Sequence, residues 1–321
     1  MEIANPIYDV VFKYLMEDNA IARLIISTII KQKVVSLEFR PQERTAELDI
    51  GSITIYRLDF SAKIETPQGH KIVLIEIQKA KFPADIMRFR RYLAEQYKSK
   101  ENTRKVKVNR KHKGKLVEVE EDKAIPLLSI YFLGYSLDHF KASVIRVQRE
   151  CYDDATDEKL DGEEEFIECL THDSYVIQVP YLSDEHKTEV EKMLAIFDQS
   201  KLTPDHHILN IVEADYPAKY RPIIRRLQRA VAEPEVRQKM DIEDEITDEL
   251  KKMARTIQQQ QEDLTESEKA LEEKDKALEE KDKVLEEKDK ALERNRAAME
   301  EKDKELAEKE KLIRELMEKQ R

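Results

Sequence analysis

The chain has 321 residues, of which 57 are basic and 68 acidic, giving a formal net charge of -11. This balance excludes a simple polyanion-binding protein over the whole length. Most of the acidity lies from Asp241 onward, where 28 acidic side chains face 19 basic ones, so the preceding body is close to neutral.

The first 100 residues alternate between helical and strand patterns. Apolar side chains recur at helical spacing over residues 5–32, and Asn5 and Pro6 favour a helix start. Residues 34–40 predict a short strand, and residues 53–64 and 71–78 predict a hairpin around Pro67, Gln68 and Gly69. Residues 82–100 return to helical spacing. The predicted order is helix, strands, helix.

The middle of the chain mixes further strands and helices. Residues 104–115 are strongly basic, which suits contact with a nucleic-acid backbone or a mobile surface loop. Residues 127–135 predict a strand buried on both faces. Residues 166–182 predict another strand region, and residues 186–199 and 221–238 predict helices. This pattern predicts an α/β fold with a mixed central sheet flanked by helices over residues 1–240.

Residues 241–321 predict a long, charged helix. Leucine recurs every seven residues at Leu271, Leu278, Leu285 and Leu292, which is the spacing of a coiled coil. If the leucines occupy position d, position a carries Asp275 and its heptad equivalents. If they occupy position a, position d carries Lys274 and its equivalents, so the other half of the seam is charged in either case. A homodimeric coiled coil and a solitary helix held by Glu-Lys pairs four residues apart both remain open.

Cysteine content and the N-terminal residues predict a cytoplasmic protein without a membrane anchor. Cys151 and Cys169 form no paired motif and cannot build a disulfide framework. The N-terminal MEIANPIYDVVFK lacks the basic and apolar regions of a secretion signal, and the longest apolar run is too short to span a bilayer. The five glycines make no phosphate-binding loop, and no zinc or serine-hydrolase motif occurs.

The predicted hairpin carries carboxylates where a core strand would carry aliphatic residues. If Pro67 and Gln68 form a two-residue turn, Asp59 lies opposite Glu76, and Gln78 shares the face of Glu76. Like charges about 5 Å apart destabilise a sheet unless a cation lies between them. Mg²⁺, or Mn²⁺ in its place, is the natural occupant, because hard cations take oxygen ligands. A solvated sheet face is the alternative interpretation.

This ordered set of residues resembles the PD-(D/E)XK nuclease superfamily, and within it the recombination-promoting nuclease and transposase family. The resemblance covers roughly residues 5–240 and rests on Asp9-Val10-Val11-Phe12-Lys13, Asp59 and Glu76-Ile77-Gln78. It implies a restriction-endonuclease-like core that hydrolyses DNA phosphodiester bonds with Mg²⁺, in recombination or mobile-element biology. Asp59 and Glu76 would be the metal ligands.

The resemblance also assigns further roles. Gln78 stands where the superfamily usually has a catalytic lysine, and an amide can orient water but supplies no positive charge. Lys13 or Lys63 could supply that charge. Asp9 is a candidate additional metal ligand, or an acid placed at a helix N-terminus where the helix dipole favours it.

DNA contacts are predicted on the helix after the hairpin. Arg88 and Tyr92 share one face, and Arg91 lies beside them; they would bind phosphates or form a solvated helix face. The predicted function is a Mg²⁺-dependent DNA endonuclease. The alternative is a catalytically silent protein of the same fold that acts as a scaffold through its C-terminal helix.

Overall fold

A computed structural model describes residues 1–43, 58–81, 85–112, 115–162, 164–182 and 188–319. The chain divides into two compact units, Met1–Leu250 and Lys251–Arg321. The boundary predicted from composition, at residue 240, lies within the first unit. The larger unit is a mixed α/β structure, and the smaller one is helical.

The elements of the first unit follow one another in mixed order. The helices are α1 (Asp9–Met16), α2 (Asn19–Ile30), α3 (Asp85–Lys98), α4 (Glu165–Leu170), α5 (Glu189–Leu194) and α6 (Arg221–Val231), followed by the start of α7 (Pro234–Lys319). The strands are β1 (Glu2–Ala4), β2 (Ser36–Glu43), β3 (Leu58–Thr66), β4 (Gly69–Gln78), β5 (Thr103–His112), β6 (Lys115–Ala124), β7 (Leu127–Leu133), β8 (Val144–Val147), β9 (Tyr152–Asp153), β10 (Glu158–Lys159), β11 (Asp173–Gln178) and β12 (Ile208–Asn210).

A six-stranded mixed sheet forms the centre of this unit, in the order β2-β3-β4-β7-β11-β8. β2, β3 and β4 pair antiparallel, β4 with β7 and β7 with β11 pair parallel, and β8 closes the far edge antiparallel. The parallel step from β4 to β7 requires a crossover, and α3 with the β5-β6 hairpin provides it.

One face of the sheet is apolar and carries the main core. Its strand residues include Ala62, Val73, Ile75, Ile130 and Phe132, all buried in one cluster with side chains of α1, α2, α5 and α6. The Phe12 ring of α1 lies 5.3 Å from that of Phe132. Burial of apolar area at about 25 cal/mol per Å² makes this face the main source of stability.

The opposite face is covered by α3. The ring of Phe89 on α3 lies 5.0 Å from that of Tyr131 on β7, and Tyr131 alternates with Phe132 along its strand, so the two rings point to opposite faces. α3 and the helices of the main core therefore pack on opposite sides of one sheet.

Two predicted segments differ from the structure. Within residues 166–182, the first part is the helix α4, because Arg149 Nη1 donates hydrogen bonds to the carbonyl oxygens of Ile167, Glu168 and Thr171 at its C-terminal end. The basic stretch of residues 104–115 lies mainly in β5, whose cations pair with acids of β6, as in the 2.7 Å contact of Lys107 with Glu118. The pairing of these cations with acids on the neighbouring strand is not visible in the local sequence pattern.

The second unit confirms the predicted helix. α7 continues through the heptad region to Lys319, and its leucines are exposed in the single chain. At the other end of α7, in the first unit, Val236 and Met240 are buried in the main core. No described helix is both long enough and apolar enough to cross a bilayer.

Candidate functional site

The hairpin has the register that the sequence predicts. Thr66 pairs with Gly69 and Phe60 with Ile75, so Pro67 and Gln68 are the two turn residues. Gly69 has a φ of 121°, which an L side chain rarely adopts. Continued by one residue, this register sets the backbone of Asp59 opposite Glu76. The side chain of Asp59 lies outside the described residues.

Polar residues are concentrated on the face beneath α3, which we call the polar face. Register and alternation place several polar residues there, among them Ser61 on β3, Glu76 and Gln78 on β4, Ser129 and Tyr131 on β7, and Ser174 on β11. Ser129 Oγ and Ser174 Oγ are 2.8 Å apart. A face that is covered by a helix yet remains polar is costly unless its groups are paired or bind a ligand.

Glu76 lies in a recess at the centre of this face. Leu74 of β4, Tyr131 of β7 and Phe89, Tyr92 and Gln96 of α3 contribute to the walls of the recess. Burial raises the pKa of Tyr131, a hydrogen bond with Ser129 lowers it, and the negative charge of Glu76 raises it further. The carboxylate of Glu76 therefore lies close to a largely aromatic wall.

Gln78 and Ser61 hold buried polar atoms that have no hydrogen-bond partner in the described part of the chain. Gln78 is 4% exposed, and its Oε1 accepts a hydrogen bond from Tyr135 Oη at 3.1 Å. Its Nε2, and the hydroxyl of Ser61 at 1% exposure, have no hydrogen-bond partner among the described residues. An unpaired buried polar atom costs about 1–3 kcal/mol, so these two atoms mark positions where water or a ligand atom would stabilise the fold.

The ends of β4 and β7 approach closely beside Gln78. Gly134 donates its backbone N–H to the carbonyl oxygen of Gln78 at 2.7 Å. A Cβ atom on Gly134 would lie 2.5 Å from the carbonyl oxygen of Lys79. Only glycine fits there without displacing the backbone.

Asp9 and Lys13 lie on α1, which packs against the apolar face. The backbone N–H of Asp9 donates to Glu243 Oε2 at 3.1 Å. Burial and the charge of Asp9 raise the pKa of Glu243 to about 8, although Lys79 and that hydrogen bond lower it. The structure thus brings Glu76 and Gln78 together on one face and sets Asp9 and Lys13 on a helix against the other.

The three predicted DNA-contact residues lie on α3. Arg91 is exposed, Tyr92 lines the recess of Glu76, and the side chain of Arg88 lies outside the described residues. Arg90 is exposed as well. Helix α3 therefore places at least two guanidinium groups on the outer side of the element that covers the polar face.

A second polar cluster, centred on Asp244 of α7, was missed by sequence reasoning. Its carboxylate accepts hydrogen bonds from Tyr8 Oη and His207 Nε2, both at 2.9 Å, and from Lys79 Nζ. Lys79 Nζ also lies 3.5 Å from the centroid of the Tyr8 ring. Burial alone would raise the pKa of Asp244, but the bonds from Lys79, His207 and Tyr8 outweigh it and lower the pKa. This cluster attaches the start of α7 to the sheet and the N-terminal segment.

Replacing Asp244 by Asn is expected to destabilise the protein by about 1–2 kcal/mol at pH 7, because three donors lose a charged acceptor that is itself partly exposed. A lowered carboxyl pKa stabilises the fold above the unfolded value and loses this effect as pH falls through the folded value. The difference between variant and wild type, measured by urea unfolding, should therefore shrink below about pH 4. Glu245→Gln, at an exposed position of the same helix, is the control. A difference that stays constant with pH would contradict this account.

Within the described part of the chain, no three His, Cys, Asp or Glu side chains are grouped so as to hold a metal ion. The carboxylate of Asp59, the expected partner of Glu76, lies outside that part. Comparisons with protein families, with curated proteins and with solved structures found no match.

Proposed function

We propose that the chain is a Mg²⁺-dependent DNA endonuclease of the PD-(D/E)XK type, with a restriction-endonuclease-like core and its active site on the polar face. The observation that carries this proposal is the asymmetry of the central sheet. One face is apolar throughout the main core, whereas the other, although covered by α3, holds Glu76, Gln78 and Ser61. A face that served only packing would have apolar residues at these positions.

The donor set fits a hard divalent cation. Glu76 supplies a carboxylate within the recess, and the register, if continued by one residue beyond Phe60 and Ile75, would bring the backbone of Asp59 opposite it. Such cations prefer carboxylate and water oxygens and often use one or two carboxylates together with substrate phosphate. When bound, Mg²⁺ or Mn²⁺ would polarise the phosphoryl oxygen and lower the pKa of a water ligand.

The residues of the chain itself would bind and orient the reactants. The Nε2 of Gln78, which has no hydrogen-bond partner within the described ranges, can donate a hydrogen bond to the attacking water or to a phosphate oxygen. Arg90 and Arg91 are exposed on α3 and can contact the DNA backbone. The recess walls, which include Phe89 and Tyr131, limit the access of bulk water to the Glu76 carboxylate.

One observation favours a silent scaffold as the second candidate. Lys79, the cation next to Gln78 in sequence, points away from the polar face and is bound by Asp244 and Tyr8. The positive charge that the superfamily usually places beside its acidic pair is therefore directed elsewhere on this strand. A scaffold of this kind would retain the fold and bind DNA or a partner without cleaving DNA.

The two candidates are distinguished by incubating the purified full chain with supercoiled plasmid in Mg²⁺, Mn²⁺ or EDTA. The nuclease proposal predicts conversion to nicked circles with either metal and none in EDTA. Absence of nicking with both metals, in protein that is shown to be folded by its circular dichroism, would favour the scaffold.

A further inference from the structure

Helix α7 of the second unit carries a continuous apolar stripe that no described residue of that unit covers. It consists of nine side chains spaced seven residues apart, each 55–67% exposed: Ile257, Leu264, Leu271, Leu278, Leu285, Leu292, Met299, Leu306 and Ile313. Within the helix, the heptad series begins at Ile257, two repeats before Leu271, the first leucine of the repeat recognised in the sequence. Residues seven apart drift slowly around the surface of a straight helix. When two helices supercoil around each other, these residues remain at the contact between them.

We propose that a second copy of this chain covers the stripe, forming a parallel, in-register, two-stranded coiled coil over residues 257–313. The stripe occupies the d positions of the heptad. The g positions are then Lys274, Lys281 and Lys288, and the e positions five residues further along are Glu279, Glu286 and Glu293.

Charge complementarity selects the parallel orientation. In a parallel dimer each g residue lies beside the e residue of the partner in the next heptad. The three lysines at g therefore each meet a glutamate at e of the second copy. In an antiparallel pair, g would lie beside g and e beside e, so lysine would meet lysine and glutamate would meet glutamate.

The single helix leaves these lysines available. Lys274, Lys281 and Lys288 make no ion pair or hydrogen bond among the described residues, whereas Lys290, on the outer side at position b, contacts Glu286 at 2.7 Å. Lys290 thus contacts an e glutamate of its own helix, whereas the g lysines are available to bind the partner. Each such pair contributes only a few tenths of a kcal/mol in isolation, so apolar burial along the whole stripe supplies the main driving force.

In the same parallel register, aspartates lie at position a, inside the seam. Asp275, Asp282 and Asp289 would each face the equivalent aspartate of the second copy, which is unfavourable. In the parallel arrangement, however, the residue before each aspartate is a g lysine, and the partner's lysine lies beside the aspartate as well. The interior acids are therefore flanked by cations from both chains. These acids weaken the dimer.

The proposal is tested by sedimentation equilibrium of the full chain at low ionic strength. Wild type should populate a dimer. An acidic variant with Lys274, Lys281 and Lys288 all changed to Glu, and a basic variant with Glu279, Glu286 and Glu293 all changed to Lys, should each raise the dimer dissociation constant at least about tenfold, and an equimolar mixture should restore association. The matched control for the basic variant changes Glu273, Glu280 and Glu287 to Lys at position f, on the side away from the partner, with the same change in net charge.

Orientation is tested by a single cysteine at position a. In a Cys151→Ser, Cys169→Ser background, Asp275→Cys should form an interchain disulfide on mild oxidation, because equivalent a positions are adjacent only in a parallel, in-register pair. A wild-type chain that remains monomeric at all concentrations, an association that the basic variant and its control weaken equally, or a dimer without this disulfide would each overturn the proposal.

Discussion

Replacing Glu76 by Gln is expected to lower Mg²⁺-dependent plasmid nicking on the order of 1,000-fold, the scale seen when a principal electrostatic contact of a transition state is removed. The substitution keeps the size and one oxygen of the side chain but removes the charge that would bind the cation. Glu76 is half-buried in the recess beneath α3, so the stability of the variant is compared with that of wild type by urea unfolding before nicking is measured. Nicking rates are measured by gel electrophoresis under single-turnover conditions.

Glu65→Gln is the matched control for this change. Glu65 belongs to the same hairpin and the same sheet face but lies at the turn end, where Ser36 donates a hydrogen bond to it at 3.0 Å. It should retain full activity. Equal activity of the Glu76→Gln protein and wild type would remove Glu76 from the site, and equal losses in both variants would point to a general effect of charge on the hairpin.

Replacing Gly134 by Ala is expected to lower the free energy of unfolding by about 1–3 kcal/mol, the usual cost of overpacking. The new Cβ would lie 2.5 Å from the carbonyl oxygen of Lys79, a backbone atom that cannot turn aside as a flexible side chain would. Separation of the two strand ends would also lengthen the 2.7 Å hydrogen bond from Gly134 to Gln78. The change is measured by urea unfolding.

Ser136→Ala, at an exposed position two residues further along, is the control and should unfold at the wild-type urea concentration. Gly134 donates its backbone N–H to the carbonyl oxygen of Gln78, whose side-chain amide belongs to the candidate site. Gly134→Ala should therefore reduce nicking at temperatures where the protein is still folded. Wild-type stability of Gly134→Ala would show that the ends of β4 and β7 separate without cost.

Local patterns were sufficient to predict the central hairpin. Alternation in β3 and β4 and the Pro67-Gln68 turn fixed a register that the structure confirms, and the buried run of β7 and the long α7 were also predicted correctly. These features depend on contacts between residues close in sequence or on strong periodicity. The strand predicted from residue 166 onward was wrong for its first part. That part is the helix α4, whose C-terminal end binds Arg149, a residue from outside the segment.

The Asp244 cluster could not be predicted in the same way. Tyr8 and Lys79 lie 236 and 165 residues from Asp244 in the chain, and no periodic pattern connects them. Asp244 also lies in an acidic segment whose composition resembles that of the solvated tail. For the candidate site, the sequence predicted the shared face of Glu76 and Gln78, but not the aromatic recess, because α3 contributes its walls through tertiary packing.

The most direct test of the central claim is a calorimetric titration of Mn²⁺ into the wild-type chain and into the Glu76→Gln and Glu65→Gln variants. If the polar face is a metal site, wild type and Glu65→Gln should bind the cation with equal affinity, and Glu76→Gln should bind it at least about tenfold more weakly, because a carboxylate ligand is lost. Absence of binding in wild type, or equal affinity in all three proteins, would contradict the assignment of this face as the metal centre.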